Sequence, residues 1–310
     1  MKRPFPIDPV RTAIAIAYRN NRLIADFVLP RVPVGSESFK WWKYDKAERL
    51  ALTNDDVSRK GLTNEVEFNA SEETDSTSDH GLQDGVPQSD IDNAPEGYDP
   101  LDHATEGLTD LILLNREVRA AKTLFNPANH GTKKSLANAE KFDNKDADLL
   151  SFLLEQLDKP LMRPTALTIG RAEFTQLRTN RSMVAAMHGN SGDRGSLTVQ
   201  QVAELLELEN VFVGEARMNI AQKGKPPEIK RAWSGHAAFT YLDGQADTNN
   251  GRMTWGITAQ HGDRFAGQWY DEDIGLRGGE VVRVGESVKE LVVAPDCGLL
   301  LQDVLGFAPA

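Results

Sequence analysis

Residues 189–196 read GNSGDRGS, which places Gly189, Gly192 and Gly195 three apart just ahead of a helix expected from Thr198. Glycines so spaced let backbone amides converge on a phosphate at a helix N-terminus. The rest of a nucleotide-binding loop is missing. No Gly-Lys-Ser/Thr follows, Asp193 would repel the anion, and SMVAAMHG upstream reads as a helix end or loop where a strand is required. The six histidines, His80, His103, His130, His188, His236 and His261, contain no H-x-x-x-H or H-x-x-E-H pair, so a zinc site has no local signature. No Gly-x-Ser-x-Gly elbow supplies a nucleophile for His261. Asp271, Glu272 and Asp273 form a three-acid run without the further ligands of a calcium loop and read as a solvated turn. The single cysteine, Cys297, excludes a disulfide within the chain and reads as a small buried apolar residue. No cofactor, metal or catalytic group is expected.

The elements around these residues are those of a soluble globular chain: 310 residues, 40% hydrophobic and 26% charged. The N-terminal MKRPFPIDP lacks the apolar stretch of a signal peptide, and no run reaches the eighteen or so apolar residues of a membrane span. A cytosolic site of synthesis and no membrane partner are expected. The net charge of -11 is unevenly spread. Residues 1–60 carry twelve Lys/Arg against seven Asp/Glu, whereas residues 61–115 carry fourteen acids and no Lys or Arg. That acid block argues against a general nucleic-acid binder. It reads as a solvated loop or as a surface facing basic groups of another copy.

Asp8-Pro9 and Asp99-Pro100 are both helix starts, an N-cap followed by proline at the first helical position. From the first, an apolar pattern (Ala13, Ile14, Ile16, Ala17, Leu23, Ile24, Phe27) predicts one helix or two short ones, ended by Pro30 and Pro33. The extended stretch VLPRVPVGSESFKWWKYDK, residues 28–46, then places Phe39 and Trp41 on one face of a strand and Lys40, Trp42 and Tyr44 on the other. A second strand is expected in EVEFNA, making a hairpin around the polar residues 46–64. Residues 71–99 read as a long irregular connection. From Asp99, a stripe at Leu101, Ala104, Leu108, Leu111, Ile112, Asn115, Val118 and Ala121 predicts one long helix. Helices over 146–157, 171–179 and from Thr198 alternate with strands at 165–170 and 210–221. The Thr198/Gln201 pair forms a capping box. Strands at 237–242, 253–259, 281–284, 291–294 and 299–304 follow.

In order, these elements resemble the major capsid proteins of tailed bacteriophages that share the HK97 fold. The resemblance is carried by IADFVLPRVPVGSESFKWW (24–42), the strands flanking residues 46–64, and DHGLQDGVP (79–87) ahead of the long helix. It continues through RPTALTIGRAEFTQLRTN (163–180), LTVQQVAELLELENVFVGEARMN (197–219) and RAWSGHAAFTYLDG (231–244). It implies an α+β fold with an N-terminal arm (1–38), an E-loop hairpin (39–78), a peripheral domain (79–143 and 245–295) with its spine helix at 99–122, and a mixed α/β axial domain (144–244 and 296–310). It also implies a non-enzymatic subunit that self-assembles through pentamers and hexamers into an icosahedral virion shell around double-stranded DNA, touched weakly and without sequence preference. Portal, scaffold, protease or decoration proteins are the other partners it implies. Lys46 and Lys60 fall in the E-loop region, but no crosslink is assigned. With the arm starting at residue 1, no scaffolding segment is expected ahead of it. The expected inter-subunit contacts are Trp41, Trp42, Tyr44, Phe68, Arg31, Lys40 and Lys43, together with the acids Glu72, Glu73 and Asp75. An encapsulin-like nanocompartment shell and a nucleotide-binding hydrolase using residues 189–196 are the alternatives.

Overall fold

The computed structural model describes residues 5–44, 52–65, 70–189, 195–222, 224–246 and 253–307, without the side chains of 42–44 and 70. Helix α1 (Pro9–Ala17) starts as its sequence requires, the Asp8 carboxylate accepting hydrogen bonds from the amides of Val10 at 2.8 Å and Arg11 at 3.2 Å. A short α2 (Ala25–Val28) follows, and the prolines then force β1 (Arg31–Val34) and β2 (Ser38–Tyr44).

The described partner of β2 is β3 (Ala70–Ser76), ASEETDS, paired antiparallel from Ser38↔Ser76 to Tyr44↔Ala70. It shares only Ala70 with the expected EVEFNA, of which Glu65 is in no strand and residues 66–69 lie outside the described residues. The irregular connection expected over 71–99 is also corrected: β4 (Ser78–Pro87) and a short α3 (Gln88–Asp92) occupy it. Strand β4 escapes a pattern-based reading because its order comes from backbone pairing. Ten consecutive register pairs, Ser78↔Val288 to Pro87↔Gly279, tie it to a neighbour, and only Val86 is buried.

The spine helix α4 (Pro100–Leu124) is about 37 Å long at 1.5 Å per residue, capped by Asp99. Its buried face keeps Leu101, Leu108, Ile112 and Ala121 of the expected stripe but turns away from Leu111 and Asn115, which are exposed, and takes in Thr105, Thr109, Arg116 and Glu117 with Leu113, Ala120 and Leu124. The two threonine hydroxyls satisfy themselves by donating to the carbonyls of Leu101 and Thr105.

Two five-stranded sheets flank this helix. In the first, β13 (Gly279–Val292) is central. One of its edges pairs β4; the other pairs β12 (Phe265–Asp271) and then β11 (Gly256–His261), with β1 parallel to β11. The two short strands expected at 281–284 and 291–294 are thus one strand of fourteen residues. Strand β12 was not expected. The second sheet runs β5 (Thr132–Ser135), β14 (Gly298–Gln302), β10 (His236–Thr240), β6 (Ala166–Gly170), β7 (Asn210–Gly214). Helices α5 (Leu149–Leu157), α6 (Arg171–Arg178), α7 (Arg181–His188) and α8 (Val199–Leu205) accompany it. Helix α7 occupies the SMVAAMHG segment read from sequence as a helix end or loop. The Thr198/Gln201 capping box is formed as expected. Residues 132–135, expected with the first module, pair with β14 in the second sheet, and Leu136 and Phe142 enter its core. The expected strand over 210–221 breaks after Gly214, and β8 (Arg217–Asn219) pairs with β9 (Ile229–Arg231) in a separate hairpin.

The N-terminal segment wraps the edge of the first sheet. Ile7 bridges Gly267 of β12, and the amide of Asp8 donates to the Ala266 carbonyl. Phe5 packs on Phe265 and Trp269, on one face of the sheet. Ala15 of α1 shares a cluster with Ala266, Val282 and Val284 on the other.

Candidate functional site

Two parts of the molecule bear on function: the hairpin β2–β3 with its excursion, and the joint that fixes the chain leading into it. The joint is built on adjacent residues of α4. Arg116, 1% exposed, forms an ion pair with Asp26 and donates to the Leu29 carbonyl at 3.2 Å and to Thr258 Oγ1 on β11 at 3.0 Å. Glu117, fully buried, accepts from the amides of Ile24 at 2.9 Å and Ala25 at 2.8 Å, and from Trp233 Nε1 at 2.6 Å. One residue therefore ties the arm to the first sheet, and the next ties it to the tryptophan ahead of β10 in the second.

Arg31 continues the network. Its guanidinium reaches Asp26 at 2.7 Å and Glu286 on β13 at 2.9 Å, and Glu286 also accepts from Arg264 at 3.2 Å. Arg264 donates in turn to the Ala15 carbonyl at 2.8 Å. Burial pushes the Glu286 and Asp26 carboxyls up, but their arginine neighbours outweigh it and hold both below the ordinary values of 4.5 and 3.8. Burial, the larger effect at Glu117, leaves its carboxyl raised in spite of the three donors.

Arg31, expected at an inter-subunit contact, pairs here with two carboxylates of its own chain. Trp41, also expected there, is 9% exposed and packs with Phe39, Val32, Val34, Ile257, Ala259 and Leu291, because Ser38–Tyr44 lies over the first sheet. Lys40 pairs with Glu72 at 2.8 Å and Lys289 with Asp75 at 3.5 Å within the chain. Glu73 lies opposite Trp41 in register and is exposed. The side chains of Trp42, Lys43 and Tyr44, and all of Phe68, lie outside the described residues.

The excursion between β2 and β3 displays Leu52 at 104% and Leu62 at 95% exposure, with Val57 also exposed.

Among the described residues, the chemistry-bearing side chains are not brought together. Residues 190–194 of the glycine-rich loop lie outside the described residues. Cys297 is buried. His261 Nδ1 faces the Val34 carbonyl at 3.4 Å. Among the described residues, no group of three His, Cys, Asp or Glu is placed to hold a metal, and no helix is long and apolar enough to cross a membrane.

No family model matches the chain. Over 304 residues it is 52% identical to the major capsid protein of Pseudomonas phage JBD67, an alignment that spans 97% of this chain and 98% of that protein. The chain belongs to the phage major capsid proteins. Among solved structures, a phage-related protein of Bordetella bronchiseptica superposes with a TM-score of 0.74 at 19% identity, over 97% of this chain and 98% of that one. The capsid protein of cyanophage P-SCSP1u does so with a TM-score of 0.58 at 14% identity, over 92% and 89%. The fold of this capsid protein is the α+β HK97 fold, as the resemblance implied. Its role is that of a structural protein of the phage particle.

Proposed function

We propose that this capsid protein builds an icosahedral shell from pentamers and hexamers of the full chain, and that the shell encloses double-stranded phage DNA. The observation that carries the reading is the pairing of a hairpin anchored on its own subunit through Phe39 and Trp41 with an excursion whose Leu52 and Leu62 are left in solvent. In this reading the second sheet, β5–β14–β10–β6–β7, is the axial domain around which the rings form. The first sheet with α4 is the peripheral domain, and the β2–β3 excursion lies on the neighbouring subunit. The domain limits are those expected from sequence (1–38, 39–78, 79–143 with 245–295, 144–244 with 296–310), amended so that Thr132–Ser135 joins the axial part. The net charge of -11 favours weak, non-specific contact with packaged DNA over a tight grip. Portal, scaffolding, protease or decoration proteins would meet the shell at surfaces left open by this scheme.

Electron microscopy and sedimentation velocity of the purified protein test the proposal. Closed icosahedral particles are expected, and substitution of both Leu52 and Leu62 by Asp is expected to reduce them at least tenfold while the secondary structure persists. A species that stays monomeric across a wide concentration range would overturn it. Particles loaded with a protein enzyme in place of DNA would favour the nanocompartment reading.

A further inference from the structure

The connection between β12 and β13 ends in a tip where Leu276 is fully exposed, at 101%. One exposed leucine is ordinary, but this one is held out by a fixed scaffold. Gly275 and Gly278 flank it at φ 63° and 72°, a left-handed conformation that side chains disfavour. The Tyr270 hydroxyl donates to the Arg277 carbonyl at 3.0 Å, bracing the turn from below. Ile274 lies against Gly85 and Gly279, so the base of the tip is packed while its end is free. The end therefore offers Leu276 beside Arg277, whose guanidinium has no ion-pair partner among the described residues.

A receptor of the opposite character lies on the same subunit. Between β4, α3 and the start of α4 is a cleft of about 520 Å³. Val86, Pro95, Tyr98 and Ala104 supply apolar wall, and Asp84 and Asp90 stand with them. Neither aspartate has a cationic partner among the described residues. The volume falls in the range of clefts that take a small ligand. The tip does not fill the cleft of its own chain, since Leu276 is wholly solvated.

We infer that the Leu276–Arg277 tip of one copy docks in this cleft of a neighbouring copy, leucine on the apolar wall and guanidinium between Asp84 and Asp90. Tip and cleft are different surfaces, so the contact either is made twice, reciprocally, across a two-fold, or is heterologous and closes into a ring when the rotation between copies is a whole fraction of a turn. The inference rests on the reading as a shell subunit and names a contact that this reading leaves open.

The test is a cysteine pair, Leu276→Cys with Ala94→Cys, Ala94 being a further wall residue of the cleft. Under mild oxidation of assembled particles, the double variant is expected to give covalently joined copies on a non-reducing gel, and each single variant to give none. A charge exchange supports it independently. Arg277→Glu is expected to reduce assembled particles at least tenfold, and adding Asp84→Lys and Asp90→Lys is expected to restore them. Shells of the double-cysteine variant that do not crosslink, or Arg277→Glu assembling as the parent does, would overturn the inference while leaving the shell reading intact. Crosslinking by Leu276→Cys alone would place tip against tip and overturn it too. A parent protein that forms no particles would overturn the shell reading and this inference with it.

Discussion

Around the second sheet one large apolar cluster dominates: Leu153, Leu157, Leu167, Phe174, Phe239 and Leu301 are all fully buried in it, with Glu173, Thr168 and Thr240 among the buried polar exceptions beside it. The first sheet meets its arm and the spine helix differently. Beside a smaller cluster built on Ala15, Leu108, Ile112, Val282 and Val284, it uses Asp26, Arg31, Arg116, Arg264 and Glu286 in a linked set of charges, of which Arg116 and Glu286 are buried and Asp26 is half exposed. Apolar burial is strong and indifferent to direction, whereas a charge taken out of water is tolerated only when specific partners meet it at specific distances. The second sheet is thereby made a stiff body. The first is given one permitted placement of the chain that leads into the hairpin.

The contrast can be broken most forcefully at Phe239. Truncating it to Ala should cost about 3–5 kcal/mol, by the same amount at pH 5 and pH 8, as read from urea midpoints. A strong pH dependence there would mean that the packing of Phe239 is coupled to charge. Glu286→Gln should cost about 3 kcal/mol at neutral pH, since it leaves Arg31 and Arg264 short of a counter-charge. Because the Glu286 carboxyl is held below its ordinary 4.5, the stability it supplies is present above that pH and lost as pH falls through its lowered value. The gap between parent and variant should therefore close in acid, and a gap unchanged down to pH 3 would refute the electrostatic account.

His130 sits at the seam between the sheets, stacked on Trp255 with ring centroids 5.1 Å apart. Burial pushes its imidazole down to about 4. The unfolded chain takes up that proton near 6.5 and the folded chain only near 4, so stability should fall as pH drops between those values, by roughly 3 kcal/mol in all. His130→Phe should flatten that part of the stability profile. At the small end, the exposed Lys40–Glu72 pair should matter little, Lys40→Met shifting stability by less than about 0.5 kcal/mol. A larger loss would show that the hairpin, too, relies on charge.

The same contrast decides what the sequence discloses. Caps are local, so Asp8-Pro9, Asp99-Pro100 and Thr198/Gln201 could be read directly, as could the apolar β6 at 166–170. The joint could not. Arg116 meets Asp26 across 90 positions and Thr258 across 142, and a helical stripe that counts only apolar residues passes over Arg116 and Glu117 in favour of the exposed Leu111. Strands β3 and β4 were hidden for a related reason: their residues are mostly polar and exposed, and their order comes from the strands beside them. Of the acids expected at an inter-subunit contact, Glu72 and Asp75 pair with Lys40 and Lys289 of their own chain. The proposed contacts rest on what is left uncovered, Leu52, Leu62 and Leu276.

Strands β3 and β4 run one after the other with only Thr77 between them. Whatever grips the hairpin in a finished particle therefore pulls lengthwise on β4, whose ten register pairs with β13 lie across the line of pull. Rungs so arranged share tension together instead of parting one at a time. The hairpin is attached to its subunit as a spliced rope is, and it should withstand the outward pressure of a filled container far better than a loop hung from a single turn.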